Sequence, residues 1–251
     1  AAVEEAALVP SAKAAMRATL SARLDAFLAS SATLRLPRAE RPDVSIVLVL
    51  YNQAELTFGC LCSIMETLSG QGPSVEVLIH DNNSTDRTVA LLDRIEGATI
   101  IRSETNLHFL KGVNHAARAA TGRTLLLLNN DAQLLPGAVE AALLTLDSAP
   151  DIGAVGGRII LPDGTLQEAG SIIWRNGAAS GYGRGQDPND VDVMFQRDVD
   201  YCSGAFLLTP METWRELGGF DERYAPAYYE ETDYCLRLWE SGRRVVFDPD
   251  V

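Results

Sequence analysis

The sequence predicts an α/β protein in which a mostly parallel sheet is flanked by helices. From Val44 onward, short segments rich in Val, Ile and Leu alternate with segments whose apolar residues recur at helical spacing. Strands that alternate with helices are typical of βαβ units, whose strands are parallel. The apolar runs are continuous, which indicates strands that are buried on both faces. At 251 residues the chain is long enough to bury a full core.

Residues 1–40 are predicted to form an N-terminal helix and a linker ahead of the main domain, which occupies residues 41–251. An amphipathic helix is predicted over residues 11–30 because five apolar residues lie at helical spacing: Met16, Leu20, Leu24, Phe27 and Leu28. Residues 30–43 contain two prolines and are predicted to be the linker. The sequence lacks both an initiator Met and the pattern of a secretory signal, so we expect it to be an excised piece.

The alternating part of the chain is predicted to contain strands at residues 44–50, 75–80, 99–102, 124–128 and 152–155. The intervening helices are predicted at residues 54–68, 85–95, 111–120 and 136–146. Ser84 or Thr85 is a suitable cap for the second of these helices. Pro136 stands in the first turn of the fourth, where proline is well tolerated.

The pattern changes after Gly156. Residues 158–161 and 166–174 surround Pro162-Asp163-Gly164 and predict a hairpin. Residues 177–198 are rich in Gly and Asp and are predicted to be a long loop, which is typical of a functional lid or of disorder. A further apolar segment at 199–208, helices at 211–217 and 230–241, and a strand beginning at 245–247 complete the prediction.

Composition excludes several classes of function. A net charge of −13 argues against broad nucleic-acid binding, which needs a basic surface. No apolar run approaches the length of a membrane span. The four cysteines have neither zinc-site spacing nor the density of a disulfide framework, which favours a reducing, cytoplasmic setting.

Polar residues follow the predicted strands where a ligand would bind. The sequence has neither a phosphate-binding P-loop nor the glycine motif of a dinucleotide site after its first strand. Instead, Leu125–Leu128 runs into Asn129-Asn130-Asp131. The carboxyl ends of parallel strands share one edge of a sheet, and open α/β sheets bind ligands there. Asp131 is therefore well placed to hold a cation.

Two other strands end at the same edge, in Tyr51-Asn52 and in Asp81-Asn82-Asn83. Asp81 could accept the N–H of a pyrimidine ring, and Asn52 or Asn83 could bond the carbonyl groups of that ring. The alternative is that residues 81–86 form only a helix-capping turn, since Asp, Asn and Ser all favour caps.

Two further segments carry charge at predicted helix starts. Lys111, in the segment from Asn106 to Asn114, could face a phosphate with help from the helix dipole, or could belong to an ordinary polar turn. Glu230, Glu231 and Asp233 could simply benefit from the dipole of their helix. Alternatively they form a general base, because adjacent carboxylates repel and raise one pKa toward a useful value.

Together these segments resemble the family-2 inverting glycosyltransferases of the GT-A fold, whose sheet is Rossmann-like. The matching segments occur in family order over about residues 44–251. They are Val44-Ser45-Ile46-Val47 with Tyr51-Asn52, residues 81–86, residues 106–114, Leu128-Asn129-Asn130-Asp131, Ser203-Gly204-Ala205, residues 218–222, and Glu230-Glu231-Thr232-Asp233 with Cys235-Leu236-Arg237. The branch that this sequence most resembles contains rhamnosyltransferases and galactofuranosyltransferases that build bacterial surface polysaccharides.

The resemblance implies a role for each matching position. Glu231 corresponds to the catalytic base, supported by Glu230 and Asp233. Asp131 corresponds to the carboxylate that holds Mg²⁺ or Mn²⁺, because Asn129 replaces the first Asp of the family's Asp-x-Asp motif. The nucleotide-binding positions are Tyr51, Asn52, Asp81, Asn83, Lys111, Asn114, Asn129 and Asn130. Many relatives place a metal-binding His after the last strand, and the sequence ends at Val251 before such a residue, so we expect a truncated C-terminus.

The expected reaction is inverting transfer of a hexose or deoxyhexose from a UDP- or dTDP-sugar to a glycan or lipid-linked glycan. The expected setting is the cytoplasm, including peripheral association with the inner membrane or with other domains of a larger protein, and no nucleic acid as partner. One alternative is a non-catalytic module that binds a sugar nucleotide or a glycan. A glycoside hydrolase is disfavoured, because its two carboxyl groups must flank a sugar whereas Glu230 and Glu231 are adjacent.

Overall fold

The computed structural model describes the backbone of residues 2–70 and 72–251, and the side chains of residues 11–70 and 72–251. In chain order, its first elements are α1 (Ala2–Ala29), β1 (Leu34–Arg35), β2 (Val44–Leu50), α2 (Ala54–Leu68), β3 (Val75–Asp81), α3 (Thr88–Leu92), β4 (Ile95–Glu96), β5 (Ala98–Arg102), α4 (His108–Ala117), β6 (Thr124–Leu128), α5 (Ala138–Asp147) and β7 (Ile152–Gly156).

The remaining elements are β8 (Arg158–Ile160), β9 (Leu166–Ala169), β10 (Ser171–Ile173), β11 (Ala179–Gly181), β12 (Arg197–Asp198), β13 (Phe206–Pro210), α6 (Met211–Glu216), a 3₁₀ helix (Glu222–Tyr224), α7 (Glu230–Glu240) and β14 (Arg244–Phe247). Among the described residues, no helix combines the length and the apolar composition that a membrane span needs.

Within residues 2–70 and 72–251, the central sheet has eight strands in the order β12-β14-β7-β13-β6-β2-β3-β5. Strands β6, β2, β3 and β5 are mutually parallel, as are β7 and β14. This confirms the predicted α/β fold with a mostly parallel sheet. Strand β13 runs antiparallel between β6 and β7, and Phe206 pairs with Leu128. The beginning of β13 therefore lies at the edge where β6 ends, which brings residues 203–205 beside Asn129.

Both faces of the sheet are covered, as the continuous apolar strands predict. Along β6, Leu126 and Leu128 belong to the core under α2 and α5, whereas Leu125 and Leu127 belong to the core under α4, α6 and α7. All four leucines are at most 2% exposed. Burying four leucines fixes the position of β6, and so fixes the polar residues that follow it.

The N-terminal helix is confirmed, and it packs onto the main domain. Leu24 is fully buried in the core under α2, and Arg17 on α1 donates to Glu55 on α2 at 2.6 Å. The predicted linker also has structure, because Leu34–Arg35 pairs with Ile95–Glu96. The division of the chain at residue 40 stays a prediction.

Several predicted boundaries are wrong. The helix predicted at 85–95 is only α3, because Asp86 Oδ1 accepts the Thr88 N–H at 2.9 Å and residues 95–96 pair with β1. Neither Ser84 nor Thr85 caps it. The strand predicted at 166–174 is divided at Gly170, whose φ is +70°. The predicted loop at 177–198 contains β11 and β12, which pair with β10 and β14.

Candidate active site

A cavity of about 550 Å³ opens at the edge where β6 ends and β13 begins. It brings together two segments that are 100 residues apart in the sequence, Asn129–Asp131 and Glu230–Glu231. The rest of its wall consists of Val49, Phe109, Ala179, Tyr201, Ser203, Gly204, Ala205, Ala227, Tyr228, Tyr229 and Thr232. The cavity therefore joins two of the sequence-predicted groups at one site.

The segment Asn129–Asp131 is held by hydrogen bonds to the residue that precedes β13 and to α2. Asn129 N–H donates to the Ala205 carbonyl at 3.2 Å, which ties the end of β6 to β13. Asn130 Nδ2 donates to Thr57 Oγ1 at 2.9 Å. Asp131 follows them at the cavity wall and is exposed. The result is a carboxylate presented to solvent beside two amide side chains.

The side-chain oxygens of Asn129, Asn130 and Asp131 would suit Mg²⁺ or Mn²⁺ if a bound diphosphate supplied further oxygen ligands. No group of three or more His, Cys, Asp or Glu side chains that could hold a metal occurs in the described part of the chain. Mg²⁺ in proteins often binds through one or two carboxylates together with phosphate oxygens of the substrate. Asp131 can supply the carboxylate, and the neighbouring amide oxygens are of the hard type that these ions prefer.

Helix α7 begins at the wall of the same cavity with two carboxyl groups, Glu230 and Glu231. Tyr228 and Tyr229, with φ of +81° and +69°, turn the chain into the helix. Glu230 is 4% exposed, and its Oε2 has no hydrogen-bond partner among the described residues. Burial, followed by the charge of Glu231, raises the pKa of Glu230 to about 7.

Glu231 is partly exposed at the cavity wall. Burial also raises the pKa of Glu231, and the backbone N–H groups of Glu231 itself and of Gly204 oppose that rise. A carboxylate with a raised pKa is a stronger base, which is the property that removal of a hydroxyl proton requires.

Asp233 and Asn114 both stabilise the turn that leads to Phe220, Asp233 through Arg237 and Asn114 directly. Asp233 Oδ2 accepts from Arg237 Nε at 2.7 Å, and the same guanidinium donates to the carbonyl of Gly219. Asn114 bonds the backbone N–H and carbonyl of Phe220, at 2.9 and 2.8 Å. Asn114 lines a second cavity of about 630 Å³, and neither residue lines the cavity that holds Glu231.

The predicted base-binding residues form a network of turns beyond β2 and β3. Leu50 pairs with Asp81 in the sheet, so the two strand ends are adjacent. Asp81 is 3% exposed and its Oδ1 accepts the Ser84 N–H at 3.0 Å. Asn52, with φ of +57°, accepts the N–H groups of Thr85 and Asp86, at 2.8 and 3.3 Å.

Tyr51 and Asn83 are exposed beside this network, and Asn83 has φ of +63°. The structure thus brings the four predicted base-binding residues together, outside the wall of the 550 Å³ cavity. The capping interpretation also has support, since Asp86 accepts the Thr88 N–H.

Lys111 lies within the first turn of α4, which begins at His108 rather than at the predicted 111. Its Nζ lies 3.7 Å from Glu222 Oε2, and both side chains are about half exposed. Lys111 does not line the cavity that holds Asp131.

Sequence reasoning missed Glu168 on β9. Its side chain is 7% exposed, and its Oε1 accepts the Ser203 N–H at 3.3 Å. Burial raises the pKa of Glu168 to about 7, Ser203 and Arg184 lower it, and the charge of Glu231 raises it. The available signal was a carboxylate between buried apolar residues of a strand, since Leu166 and Ala169 are fully buried.

Comparison with known proteins identifies the family to which the chain belongs. The model of the family described as "Glycosyl transferase family 2" matches residues 45–207. The "O-antigen biosynthesis protein RfbC" of Myxococcus xanthus is 30% identical over 223 residues, which cover 85% of this chain and 17% of that protein. The N-acetylglucosaminyl-diphospho-decaprenol L-rhamnosyltransferase of Mycobacterium tuberculosis is 29% identical over 70% of this chain and 64% of that enzyme. The chain thus spans less than two thirds of either relative.

Solved structures share the fold. The mannosyltransferase PcManGT from Pyrobaculum calidifontis, in complex with GDP-Man and Mn²⁺, superposes with a TM-score of 0.61 and 21% identity. That superposition covers 98% of this chain and 66% of the mannosyltransferase. GalNAc-T7 with UDP, GalNAc and Mn²⁺ has a TM-score of 0.67 and 15% identity, over 84% of this chain and 43% of its own. These superpositions agree with the GT-A fold that the sequence resemblance implies.

Proposed function

Because the chain belongs to glycosyl transferase family 2, we propose that it transfers a sugar, with inversion, from a nucleotide-diphosphate sugar to a hydroxyl group of a glycan or lipid-linked glycan. One observation carries the proposal: the side-chain oxygens of Asn129–Asp131 and the raised-pKa carboxyl of Glu231 line a single cavity. The diphosphate leaving group requires a cation, which the oxygens of Asn129–Asp131 can hold. The attacking hydroxyl requires a base, and both must be present in the same cavity.

The donor binds with its base beside Asp81 and its diphosphate beside Asp131. Asp81, Asn52, Asn83 and Tyr51 lie together at the ends of β2 and β3, and β2 pairs directly with β6. The sequence also predicts Lys111, Asn114, Asn129 and Asn130 for donor binding. Of these, Asn129 and Asn130 line the cavity, whereas Lys111 and Asn114 lie outside its wall. The rhamnosyltransferase relatives favour a deoxyhexose carried by dTDP or UDP.

Asp131 would hold Mg²⁺ or Mn²⁺ when the donor is bound, and the cation held there would supply positive charge to offset the charge on the departing diphosphate. Asn130 restricts the segment that carries Asp131 through its hydrogen bond to Thr57. Because α2 fixes that segment before the donor arrives, less ordering is required on binding.

Glu231 is the general base, with Glu230 and Asp233 in support. It takes the proton of the acceptor hydroxyl as that oxygen forms a bond to the anomeric carbon of the sugar. The bond between that carbon and the diphosphate oxygen breaks at the same time, and its electron pair leaves with the nucleoside diphosphate. One displacement of this kind inverts the anomeric centre.

The relatives also suggest the setting of the reaction. One is named for O-antigen biosynthesis, and others are named as rhamnosyltransferases. These names support our proposal that the activity belongs to bacterial surface polysaccharide synthesis. The setting we propose for it is the cytoplasm, including the cytoplasmic face of the inner membrane. These names favour an enzyme over a non-catalytic module that binds a sugar nucleotide.

The proposal is tested by thermal shift with UDP, dTDP, GDP and their sugars, each with and without Mn²⁺, since a ligand that binds the native state raises its stability. We expect UDP or dTDP to raise Tm, and Mn²⁺ to enlarge the shift in the wild type but not in Asp131→Asn. Ligands that shift Tm then enter a transfer assay with glycan acceptors. Tm shifts without Mn²⁺ dependence, or binding without transfer to any acceptor, would contradict the proposal.

A further inference from the structure

Two consecutive tyrosines form the turn that leads into α7 at the wall of the 550 Å³ cavity. Tyr228 and Tyr229 have φ of +81° and +69°, a left-handed conformation that is unfavourable for bulky side chains and that Gly or Asn adopts more easily. Tyr228 is 82% exposed, so burial of its side chain offsets little of this cost. Backbone strain of this kind clusters at ligand and active sites. The turn thus holds an aromatic ring where a smaller residue would stabilise the fold better.

Hydrogen bonds fix this turn to two different elements. The Tyr229 carbonyl accepts the Asp233 N–H at 2.8 Å, which joins the turn to α7. Tyr229 Oη donates to the carbonyl of Gly177 at 3.1 Å, in the connection between β10 and β11. Strand β11 itself reaches the cavity wall through Ala179. The backbone that carries Tyr228 is therefore held in place before a ligand arrives, which lowers the cost of ordering on binding.

The composition of the cavity wall indicates the class of ligand that Tyr228 contacts. Asp131, Glu230 and Glu231 contribute carboxyl groups, and the described residues of the wall include no Lys or Arg. Carboxyl groups accept hydrogen bonds from hydroxyl groups, and carboxylates repel anions. The face of an aromatic ring carries negative partial charge, and the C–H groups of a sugar ring pack well against it. Apart from a diphosphate held through a cation, such a wall suits an uncharged sugar rather than a second anionic group.

We propose that Tyr228 determines acceptor specificity: its ring stacks on an uncharged sugar ring, the one whose hydroxyl attacks the donor. This inference rests on the proposed function, in which Glu231 takes the proton of that hydroxyl. Tyr228 precedes Glu231 by three residues, and both line the same cavity, so a sugar packed on Tyr228 can present a hydroxyl to the base. Tyr51, Asn52, Asp81 and Asn83, which we propose for the nucleotide base, lie outside this wall. The base of the donor is therefore not the ring that Tyr228 contacts.

Four variants separate the ring of Tyr228 from the turn that carries it. Tyr228→Phe keeps the ring, whereas Tyr228→Asn removes it and retains a residue that tolerates positive φ. Tyr228→Gly is a second variant without a ring. Phe195→Ala is the matched control, because Phe195 is an aromatic residue that is 50% exposed and does not line the cavity.

Binding is measured by saturation-transfer NMR in the presence of UDP and Mn²⁺. The probes are the methyl glycosides of N-acetylglucosamine, galactose and rhamnose, and sorbitol serves as a ligand that has hydroxyl groups but no ring. Tm, donor affinity, and the kcat and acceptor KM of sugar transfer are measured for each variant.

We expect the wild type to bind at least one glycoside more tightly than sorbitol, with saturation strongest at the protons of one ring face. Tyr228→Phe and Phe195→Ala should behave as the wild type does. In Tyr228→Asn and Tyr228→Gly, the glycoside Kd and the acceptor KM should rise about 3- to 10-fold, as expected for the loss of one aromatic contact. Donor affinity and kcat at saturating acceptor should hardly change. Tm should be equal or higher, because Asn and Gly relieve the strain of the turn, whereas a structural role for the ring would lower Tm.

Wild-type glycoside binding in both variants without a ring overturns the proposal, as does a wild type that binds none of the three glycosides. If Tyr228→Asn does not fold, Tyr228→Gly decides; if neither folds, Tyr228 is a structural residue and the proposal is wrong. The NMR measurement needs no turnover, so it also separates two failures. If the wild type transfers no sugar but glycoside binding depends on the ring, the function is wrong and the sugar contact stands. If the wild type transfers sugar and acceptor KM does not depend on the ring, only the role of Tyr228 fails.

Discussion

The two sides of the candidate site satisfy their polar groups differently. At the ends of β2 and β3, Asn52, Asp81 and Asp86 each accept N–H groups from the facing or following turn. Around α7, Glu230 has an oxygen without a partner among the described residues, and Glu168 has a pKa of about 7. We call the first group the turn network (Asn52, Asp81, Ser84, Asp86) and the second the carboxyl cluster (Glu168, Glu230, Glu231).

The difference indicates what each side contributes. A network whose hydrogen bonds are made within the protein is rigid before a ligand arrives, which suits recognition of a nucleotide. Buried carboxyl groups close to one another are unfavourable for folding, and such groups are typical of sites where a proton is moved. The turn network should therefore stabilise the fold, whereas the carboxyl cluster should destabilise it and support turnover.

The largest effect is expected in the carboxyl cluster, for Glu231→Gln. Loss of a general base typically lowers the rate about 10²- to 10⁴-fold, and we expect kcat to fall by that amount while donor affinity stays within about twofold. Steady-state transfer assays and calorimetry with the donor measure the two quantities. Glu240→Gln, an exposed residue at the end of the same helix, is the control and should transfer normally. If Glu231→Gln retained wild-type turnover, Glu231 would not be the general base.

The second prediction concerns stability and pH. The pKa of Glu230 is raised by burial from 4.5 to about 7 in the folded protein. Because the folded state then binds the proton more tightly than the unfolded state, the stability that Glu230 contributes is complete below about pH 4.5 and is lost as pH rises through 7. The loss is at most about 3 kcal/mol for a shift of this size.

Urea denaturation at pH 5 and pH 8 tests this prediction. We expect Glu230→Gln to raise the free energy of unfolding at pH 8 and to flatten its decrease between the two pH values, while Glu240→Gln leaves both unchanged. A Glu230→Gln protein with the wild-type pH dependence would show that Glu230 does not titrate as proposed, and the contrast between the two sides would lose its basis.

The third prediction addresses the turn network through Asp86. Its two oxygens accept the N–H groups of Ala54 and Thr88, at 3.1 and 2.9 Å, and so serve the first turns of α2 and α3. Loss of such a cap costs about 1–2 kcal/mol, and we expect Asp86→Ala to lower the free energy of unfolding by that amount and to weaken nucleotide binding. Thr85→Ala, an exposed neighbour, is the control.

Asp86→Ala should leave the pH profile of transfer unchanged, because the carboxyl cluster is untouched. Burial tends to raise the pKa of Asp86, but the hydrogen bonds from Thr88 and Ala54 outweigh that effect and lower it. Its contribution to stability is therefore present at neutral pH and is lost only as pH falls through the acidic range. A changed transfer profile in Asp86→Ala would show that the two sides are coupled.

The two sides also differ in how far the sequence predicts them. The polar residues after β2, β3 and β6 follow strands whose apolar runs are unmistakable, and parallel strands must place their carboxyl ends together. For these residues, their position directly after a strand was sufficient to predict that they lie at one edge of the sheet. The extent of α3 was not predictable, because a side chain of the facing loop, Asn52, competes for the backbone of residues 85–86.

Glu168 could not be found in the same way. Its partner Ser203 is 35 residues away, and the two meet because β13 runs antiparallel in the middle of the sheet. A continuous apolar run such as residues 206–208 carries no information on strand direction. Contacts that depend on that direction, including Glu168 with Ser203 and Asn129 with Ala205, therefore need the folded structure.

The smallest effect is expected for Lys111, which lies in the first turn of α4. Its ion pair with Glu222 is about half exposed and 3.7 Å long, and exposed pairs contribute only about 0–1 kcal/mol. Lys111→Met should therefore hardly change the free energy of unfolding, and donor affinity is the informative measurement. Because Lys111 lies outside the cavity of Asp131, we expect that affinity to change less than about threefold at low salt. A tenfold loss that disappears at high salt would instead establish the phosphate contact that its place at a helix start predicts, because screening weakens interactions between exposed charges.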